Sequence, residues 1–471
     1  MAANRRSVLL TGMAATAAQA AAARADSIPS ALERRVRCDE PARSAAADDF
    51  GHIVHERPTW ILQPRSSGDV AAAIRWASQQ GLRFAAQGRR HSVYGRAMAR
   101  DGIVAEMSRL RTIHGLQGDR VVVEAGATWR EVLAATLPHG LAPPVVTDYL
   151  GLSIGGTLVV GGVGSGTRRH GLQSDNVLEM DVVTGTGHEV TCSARNQAEL
   201  FDAVRAGLGQ VAVVIRATLR LVPAPRQVRR YLLFYANLAS MLREQRLLAA
   251  DGRFDDATGA ILARPDGGWQ FRLDAARHLA DPAGHDDEAV LAGLSDDRSR
   301  RQAATLSYFD YLDRLSQLET LLRGNGQWFL PHPWLMTFVG DAGVEAVVGD
   351  ALARLAPADL GPHGQVSLSA IPRRSITSPL ARLPADDLCY AFNLVRIPAT
   401  DDAREIARLV EDNRAFYGWI REAGGTLYPV SALPMTGDDW RRHFGPAFDR
   451  LSAAKRRFDP ASLLAPGYPI F

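Results

Sequence analysis

From about residue 57 the chain alternates short apolar runs with amphipathic ones, the rhythm of strands joined by helices. Thr59-Trp60-Ile61-Leu62 is continuously apolar and stops at Pro64, which predicts a buried strand. Ser66-Ser67-Gly68-Asp69 then opens a segment in which Val70, Ile74 and Ala77 recur at helical spacing until Gly81 ends it. Strand-like runs follow at 82–86, 103–107 and 121–125. Thr128-Trp129-Arg130-Glu131 has the form of a capping box, so a helix is expected to run to about Leu137. Further on, 177–183 and 189–192 flank Thr184-Gly185-Thr186-Gly187, a hairpin signal. A short helix at 197–206 precedes a β-rich segment at 211–222.

Pro223-Ala224-Pro225 breaks this pattern and predicts a domain boundary, since proline offers no ladder donor and restricts the residue before it. The stretch 226–427 reads as less regular and richer in helix. Within it Ile406, Leu409, Val410, Asn413, Phe416 and Trp419 trace one face of a helix that stops at Gly424-Gly425. Arg298 to Arg301, after Asp296-Asp297, reads as a solvated helix face.

The length of 471 residues allows about three folding units or two large ones. The formal charge of +3 gives no field that argues for nucleic acid, and Arg5, Arg6 and Arg24 of the first 25 residues account for all of it. Those residues form a paired arginine, an Ala-rich stretch and two small-x-small patterns, Ala18-Gln19-Ala20 and Ala23-Arg24-Ala25. They resemble a twin-arginine export signal, whose route carries proteins already folded around a cofactor. The expectation is an exported protein, periplasmic or extracellular, with no membrane span in its mature part. Cys38, Cys192 and Cys389 have neither zinc-finger nor CxxC spacing, so no structural metal is expected, and one disulfide stays possible but unassigned.

Two glycine-bearing segments stand out. Ser153 to Thr167 carries glycine at 155, 156, 161, 162, 164 and 166, backbone that can approach a ligand closely and turn several N–H groups toward one anion. It is neither a Walker loop nor GxGxxG after a first strand, and a packed structural turn explains it as well as a phosphate site does. Gln87-Gly88-Arg89-Arg90-His91-Ser92 follows the strand at 82–86 and gathers cationic and donor groups on a tight turn.

An ordered series of short motifs extends from about Pro58 to Phe471. It comprises Gly88-Arg89-Arg90-His91-Ser92, Thr147-Asp148-Tyr149-Leu150 followed by Ser153 to Leu158, Arg169-His170-Gly171, Val182 to Gly185 and Gly207 to Gln210. It continues with Tyr311 to Arg314, Pro331 to Leu335, and Phe458-Asp459-Pro460 to Gly467. Together they resemble cytokinin dehydrogenases, of the vanillyl-alcohol-oxidase type of FAD-binding proteins. The resemblance implies an α+β, two-domain PCMH-type FAD-binding fold with an inserted α+β substrate domain having an antiparallel sheet. Residues 40–225 and a C-terminal segment from 428 to 471 would form the FAD domain, and 226–427 the substrate domain. It implies FAD, bonded covalently through His91. Gly88, Arg89, Arg90, His91, Ser92, Ser153, Gly155, Gly156, Gly162 and Val163 would cradle the cofactor, Val214 and Tyr428 would lie beside it, and Asp148 would touch it as well as act as the base. The activity implied is oxidation of the N6 side-chain amine of isoprenoid adenines to an imine, which hydrolyses to adenine and an unsaturated aldehyde. A quinone-like acceptor or oxygen would take the electrons.

Several positions depart from the family pattern. Arg90 stands for the second glycine of the GxGHS loop, Arg96 for a flavin-contacting Gln, and Tyr468 for the Gln of the terminal Pro-Gly-Gln. Val159 and Ala465 occupy hydroxyl-bearing cofactor positions, and Thr258 falls where a Glu often binds the purine, with Asp255 or Asp256 as neighbouring substitutes. Trp334, with Trp328 and Phe329, is a candidate wall for a flat substrate or simply core. These departures keep open an oxidase of a sugar, alcohol or other small molecule on the same fold, and, further off, an exported binding protein without turnover.

Overall fold

The computed structural model describes residues 28–279 and 285–471, so the leader at 1–25 lies outside the described residues. The first unit opens with a small sheet in which Trp60–Leu62 and Phe84–Gln87 flank Ile103–Glu106 in parallel, with Val36–Arg37 antiparallel on the edge. The helix Ser67–Gln80 covers it, capped by the Ser66 hydroxyl at one end and by left-handed Gly81 at the other. Beside it lies a five-stranded antiparallel sheet in the order Ile113–Leu116, Arg120–Glu124, Ala212–Arg220, Val177–Thr184, Glu189–Ser193. The capping box at Thr128 forms as expected and starts the helix Trp129–Thr136.

Beyond the proline break, the middle section carries more helix than the first unit, as expected, but it is not less regular, because its helices pack on the antiparallel sheet that the resemblance implies. Its centre is an eight-stranded antiparallel sheet in the order Gln302–Ser307, Gln227–Tyr235, Trp269–Leu279, Asp256–Ala263, Gln365–Pro372, Leu388–Val395, Leu335–Gly340, Thr426–Leu427. One face carries fully buried Leu233, Leu273, Leu368, Leu335 and Leu394, packed with the apolar stripes of Leu238–Asp251, Val344–Arg354 and Ala403–Glu422. Helical periodicity showed because those stripes are one-sided, whereas the strands carry polar residues on the other face for a reason local patterning does not reveal. The 298–301 run is a turn, not a helix face. Asp296 is buried there and pairs with Arg301 at 2.7 Å. All three cysteines are free, Cys38 exposed and Cys192 and Cys389 buried.

After the sheet, the chain returns to the first unit. The helix Ala447–Phe458 packs on Ala198–Val204, and residues 463–465 add alongside Phe84, which donates to Leu463 O and accepts from Ala465 N. Buried Lys455 and Asp459 pair at 2.7 Å. Lys455 also donates to Gln210 O, while Asp459 accepts from the N–H groups of Leu463 and Leu464. This cluster clamps the returning segment. Among the described residues no helix is long and apolar enough to cross a membrane.

Asp459→Ala would leave the Lys455 charge buried without its counter-ion. A destabilisation of about 3–5 kcal/mol is expected, read as a lowered midpoint in urea or thermal unfolding.

Candidate active site

Strand alternation builds one wall of a cavity of about 660 Å³ between the two units. The face of the eight-stranded sheet turned from its helices presents Asp256, Thr258, Arg272, Asp274, Ser367, Asn393, Met336 and Phe338, all lining the cavity. The opposite wall comes from the first unit. It holds the Gly88–Ser92 turn, the 147–164 segment and Val214, and it is completed from the C-terminal segment by Ala465 and Tyr468. Every residue assigned from the sequence to the cofactor, the base or the substrate faces this one space: Gly88, Arg89, Arg90, His91, Ser92, Arg96, Asp148, Ser153, Gly155, Gly156, Val159, Gly162, Val163, Val214, Thr258, Trp334, Tyr428, Ala465 and Tyr468. Phe329 is the exception among the weighed aromatics, 58% exposed and outside the lining.

The glycine-rich segment is in part a helix, Ile154–Val160, which its glycine content concealed. Ser153 precedes it but makes no capping bond. A side chain at Gly88 would collide with the Ser153 hydroxyl, so the backbone of the first glycine-bearing segment packs directly on the Ser153 side chain that opens the second. Gly162, at φ +80°, donates its N–H to the Tyr428 hydroxyl at 3.1 Å.

Arg90 takes the left-handed backbone its loop requires, φ +55°, and its guanidinium bonds Ala45 O. The loop therefore keeps the shape a glycine would give it. Its organiser is Asp49, which no motif signalled. This carboxylate accepts from the N–H groups of Gly51 (3.0 Å) and Gly95 (2.7 Å) and from the Ser92 hydroxyl (2.7 Å). Burial outweighs these donors and pushes its pKa up to about 6.

Four rings follow in a stack: Tyr149, His91, Phe50 and His332, with centroids 4.8, 4.1 and 4.0 Å apart. Trp334 meets His91 edge-on at 5.9 Å, its indole N–H committed to Arg396 O at 3.0 Å. Burial, assisted by His332 and Arg323, lowers the His91 pKa to about 3, and burial lowers His332 to about 4. Both imidazoles are neutral at neutral pH. Arg96 is 6% exposed, donates to Leu433 O (2.7 Å) and Gly467 O (3.1 Å), and sits among the rings of Tyr94, Trp440 and Tyr468 at 5.1–5.6 Å. Its Nε is buried without a partner among the described residues.

Asp148 is half exposed to the cavity and is held by an ion pair with Arg314. Arg314 lies in the Tyr311–Arg314 motif, but sequence reasoning gave it no role. The carboxylate's field raises the pKa of this guanidinium despite burial. Tyr149 donates to Glu319 at 3.0 Å. The suggested substitutes for a purine-binding Glu are both committed elsewhere. Asp255 pairs with Arg169 and accepts from His278 N, and Asp256 accepts from Gly166 N (2.7 Å), Tyr311 (3.2 Å) and Ser165. Thr258 keeps its place on the cavity wall. No cluster of His, Cys, Asp or Glu fit for a metal occurs among the described residues.

Comparison with known proteins agrees with this architecture. Residues 58–193 match the family model of the FAD binding domain, and residues 277–471 match that of cytokinin dehydrogenase 1, FAD and cytokinin binding. The chain is 39% identical to an uncharacterized oxidoreductase, ORF5 in the fasciation locus of Rhodococcoides fascians, over 91% of this chain and 97% of that one. It is 34% identical to cytokinin dehydrogenase 10 of Oryza sativa subsp. japonica, over 93% and 88%. Among solved structures it resembles 6-hydroxy-D-nicotine oxidase from Arthrobacter nicotinovorans, with TM-score 0.72 and 23% identity over 91% and 95% of the two chains. That likeness shows a PCMH-type fold.

Because the folded-state pKa of Asp49 lies above the ordinary carboxylate value of 3.8, the folded chain binds a proton that the unfolded one has released between about pH 6 and 4. Wild type is therefore expected to gain stability relative to Asp49→Asn as pH falls through that window. Urea unfolding of both proteins at pH 7 and pH 4 checks the sign.

Proposed function

The chain belongs to the cytokinin dehydrogenase family of FAD-dependent oxidoreductases, and on that premise we propose that it oxidises the N6 side-chain amine of isoprenoid adenines. The observation that carries this reading is the Asp148–Arg314 pair, a carboxylate held at the face of the cavity that the glycine-bearing wall and the antiparallel sheet enclose together.

The residues present fit FAD. Backbone at Gly88 and Ser153 to Gly164 suits a diphosphate, Arg89 and Arg168 line the cavity without ion-pair partners among the described residues, and the buried Arg96 Nε–H needs an acceptor. When bound, FAD supplies the two-electron chemistry by accepting hydride from the carbon beside the amine. Asp148 takes the proton from nitrogen, so that the electron pair left behind closes the C=N bond of the imine. Arg314 fixes that carboxylate in place. The ring stack excludes water from one side of the space and leaves His91 without a hydrogen bond among the described residues. A neutral imidazole keeps a nitrogen lone pair available, which supports covalent attachment of the flavin through His91.

The arginine pair at 5–6 supports export by the twin-arginine route after the cofactor is loaded. Electrons would leave to a quinone-like acceptor or, more slowly, to oxygen. A second reading, oxidation of a sugar, alcohol or other small molecule, draws on Thr258 where a carboxylate would grip the purine. It prevails if adenine derivatives leave the flavin oxidised while a polyol or alcohol reduces it.

Asp148→Asn is expected to slow anaerobic flavin reduction by isopentenyladenine by roughly 10²–10⁴-fold while binding largely survives, measured by stopped-flow absorbance. Unchanged reduction would remove Asp148 from the role. After acid precipitation the yellow colour should stay with wild-type polypeptide and be lost from His91→Ala.

A further inference from the structure

Three neighbouring strands give the substrate wall a charged end. In register, Asp274 stands opposite Thr258, and Arg272, two residues earlier on the same strand and face, stands opposite Ala260. The acids that share this end of the cavity are all engaged. Asp274 accepts from Nε and Nη2 of Arg230, at 2.8 and 2.5 Å. Asp256 is satisfied by Ser165, Gly166 and Tyr311, and Asp148 by Arg314. Among the charged side chains of this sheet face that the structure describes, Arg272 alone has neither an ion pair nor a hydrogen bond, and its Nε is buried. A guanidinium does not shed its charge at neutral pH, so a half-buried one without a partner carries an uncompensated desolvation cost. An anion with two oxygens removes that cost by bidentate pairing.

We propose that Arg272 is a specificity-determining residue that binds an anionic group, a phosphate or carboxylate, borne by the substrate. The diagonal between residues such as Thr258 and Arg272 on adjacent antiparallel strands is about 7–8 Å. A flat ring seated at Thr258 therefore reaches Arg272 only through a substituent of that length ending in the charge. For the adenine substrates proposed above, on which this step rests, a ribose 5′-phosphate or an N9-linked carboxyalkyl arm has the required reach and sign. Among the described residues the sheet face supplies no second unpaired cation.

The test compares N6-isopentenyladenosine, its 5′-monophosphate and a 9-carboxyalkyl derivative of N6-isopentenyladenine as reductants of the holoenzyme. In wild type, kcat/KM for one of the two anionic compounds should exceed that for the riboside by roughly 10–100-fold, the worth of a charge-assisted hydrogen bond, and which of them does so identifies the group. In Arg272→Gln the ratio should fall to about 1, and Arg272→Lys should recover part of it. A wild-type ratio near 1 for both compounds, or a ratio unmoved by Arg272→Gln, overturns the proposal. Inorganic phosphate gives a readout independent of turnover. At constant ionic strength it should raise the unfolding temperature of the wild-type holoenzyme and not that of Arg272→Gln, whereas equal shifts count against the site. If no adenine compound reduces the flavin yet phosphate discriminates the two proteins, the adenine reading fails and the anion site stands.

Discussion

The register of the eight-stranded sheet is the constraint on which the rest depends. Side chains alternate with period two, so a slip of one residue would exchange the faces. Arg272, Thr258 and Met336 would enter the helix layer, and Leu273, Leu335 and Leu368 would line the cavity. The helices Leu238–Asp251 and Ala403–Glu422 forbid this, because their buried stripes fit only the apolar face. Packing on one side of the sheet thereby fixes chemistry on the other. The same logic explains how charged strands tolerate proximity to a core: their charges stand over a cavity, and nearly every one has a partner.

The two walls are coupled at many points, by a shared apolar cluster and by polar groups with defined geometry. The 49–51 segment ties itself to the turn that carries His91, with Phe50 N donating to Arg90 O and Gly51 N to Ser92 O. It also reaches the second unit, where His332 donates from its backbone to Gly51 O and from Nδ1 to Phe50 O. Arg314 performs the corresponding task for Asp148 from the far side. The positions of His91 and Asp148 are thus set by residues of both units.

Much of the fold was legible in local sequence because its signals are local. The Ser66 cap, Gly81 and the Thr128–Glu131 box define helices within a few residues. Elsewhere tertiary structure overrode propensity. Ile154–Val160 is a helix despite Gly155 and Gly156, the first of which packs tightly against Ala125, and the strands of 226–427 carry polar residues whose face is meaningful only beside a cavity. For the site, motif resemblance gathered residues far apart in sequence that the structure places around one space. It missed Asp49, Arg272 and the role of Arg314, whose significance lies in which partner each has or lacks. Partnership of that kind is a property of three-dimensional neighbours and leaves no spacing to read.

The clamp of Lys455 and Asp459 brings residues 463–468 into the first unit, where Ala465 and Tyr468 complete the wall opposite the sheet. A nascent polypeptide therefore has no finished binding space until synthesis has passed residue 468. Cofactor capture is in consequence a post-synthetic event, and a prematurely terminated product would emerge colourless however well its earlier portions had folded.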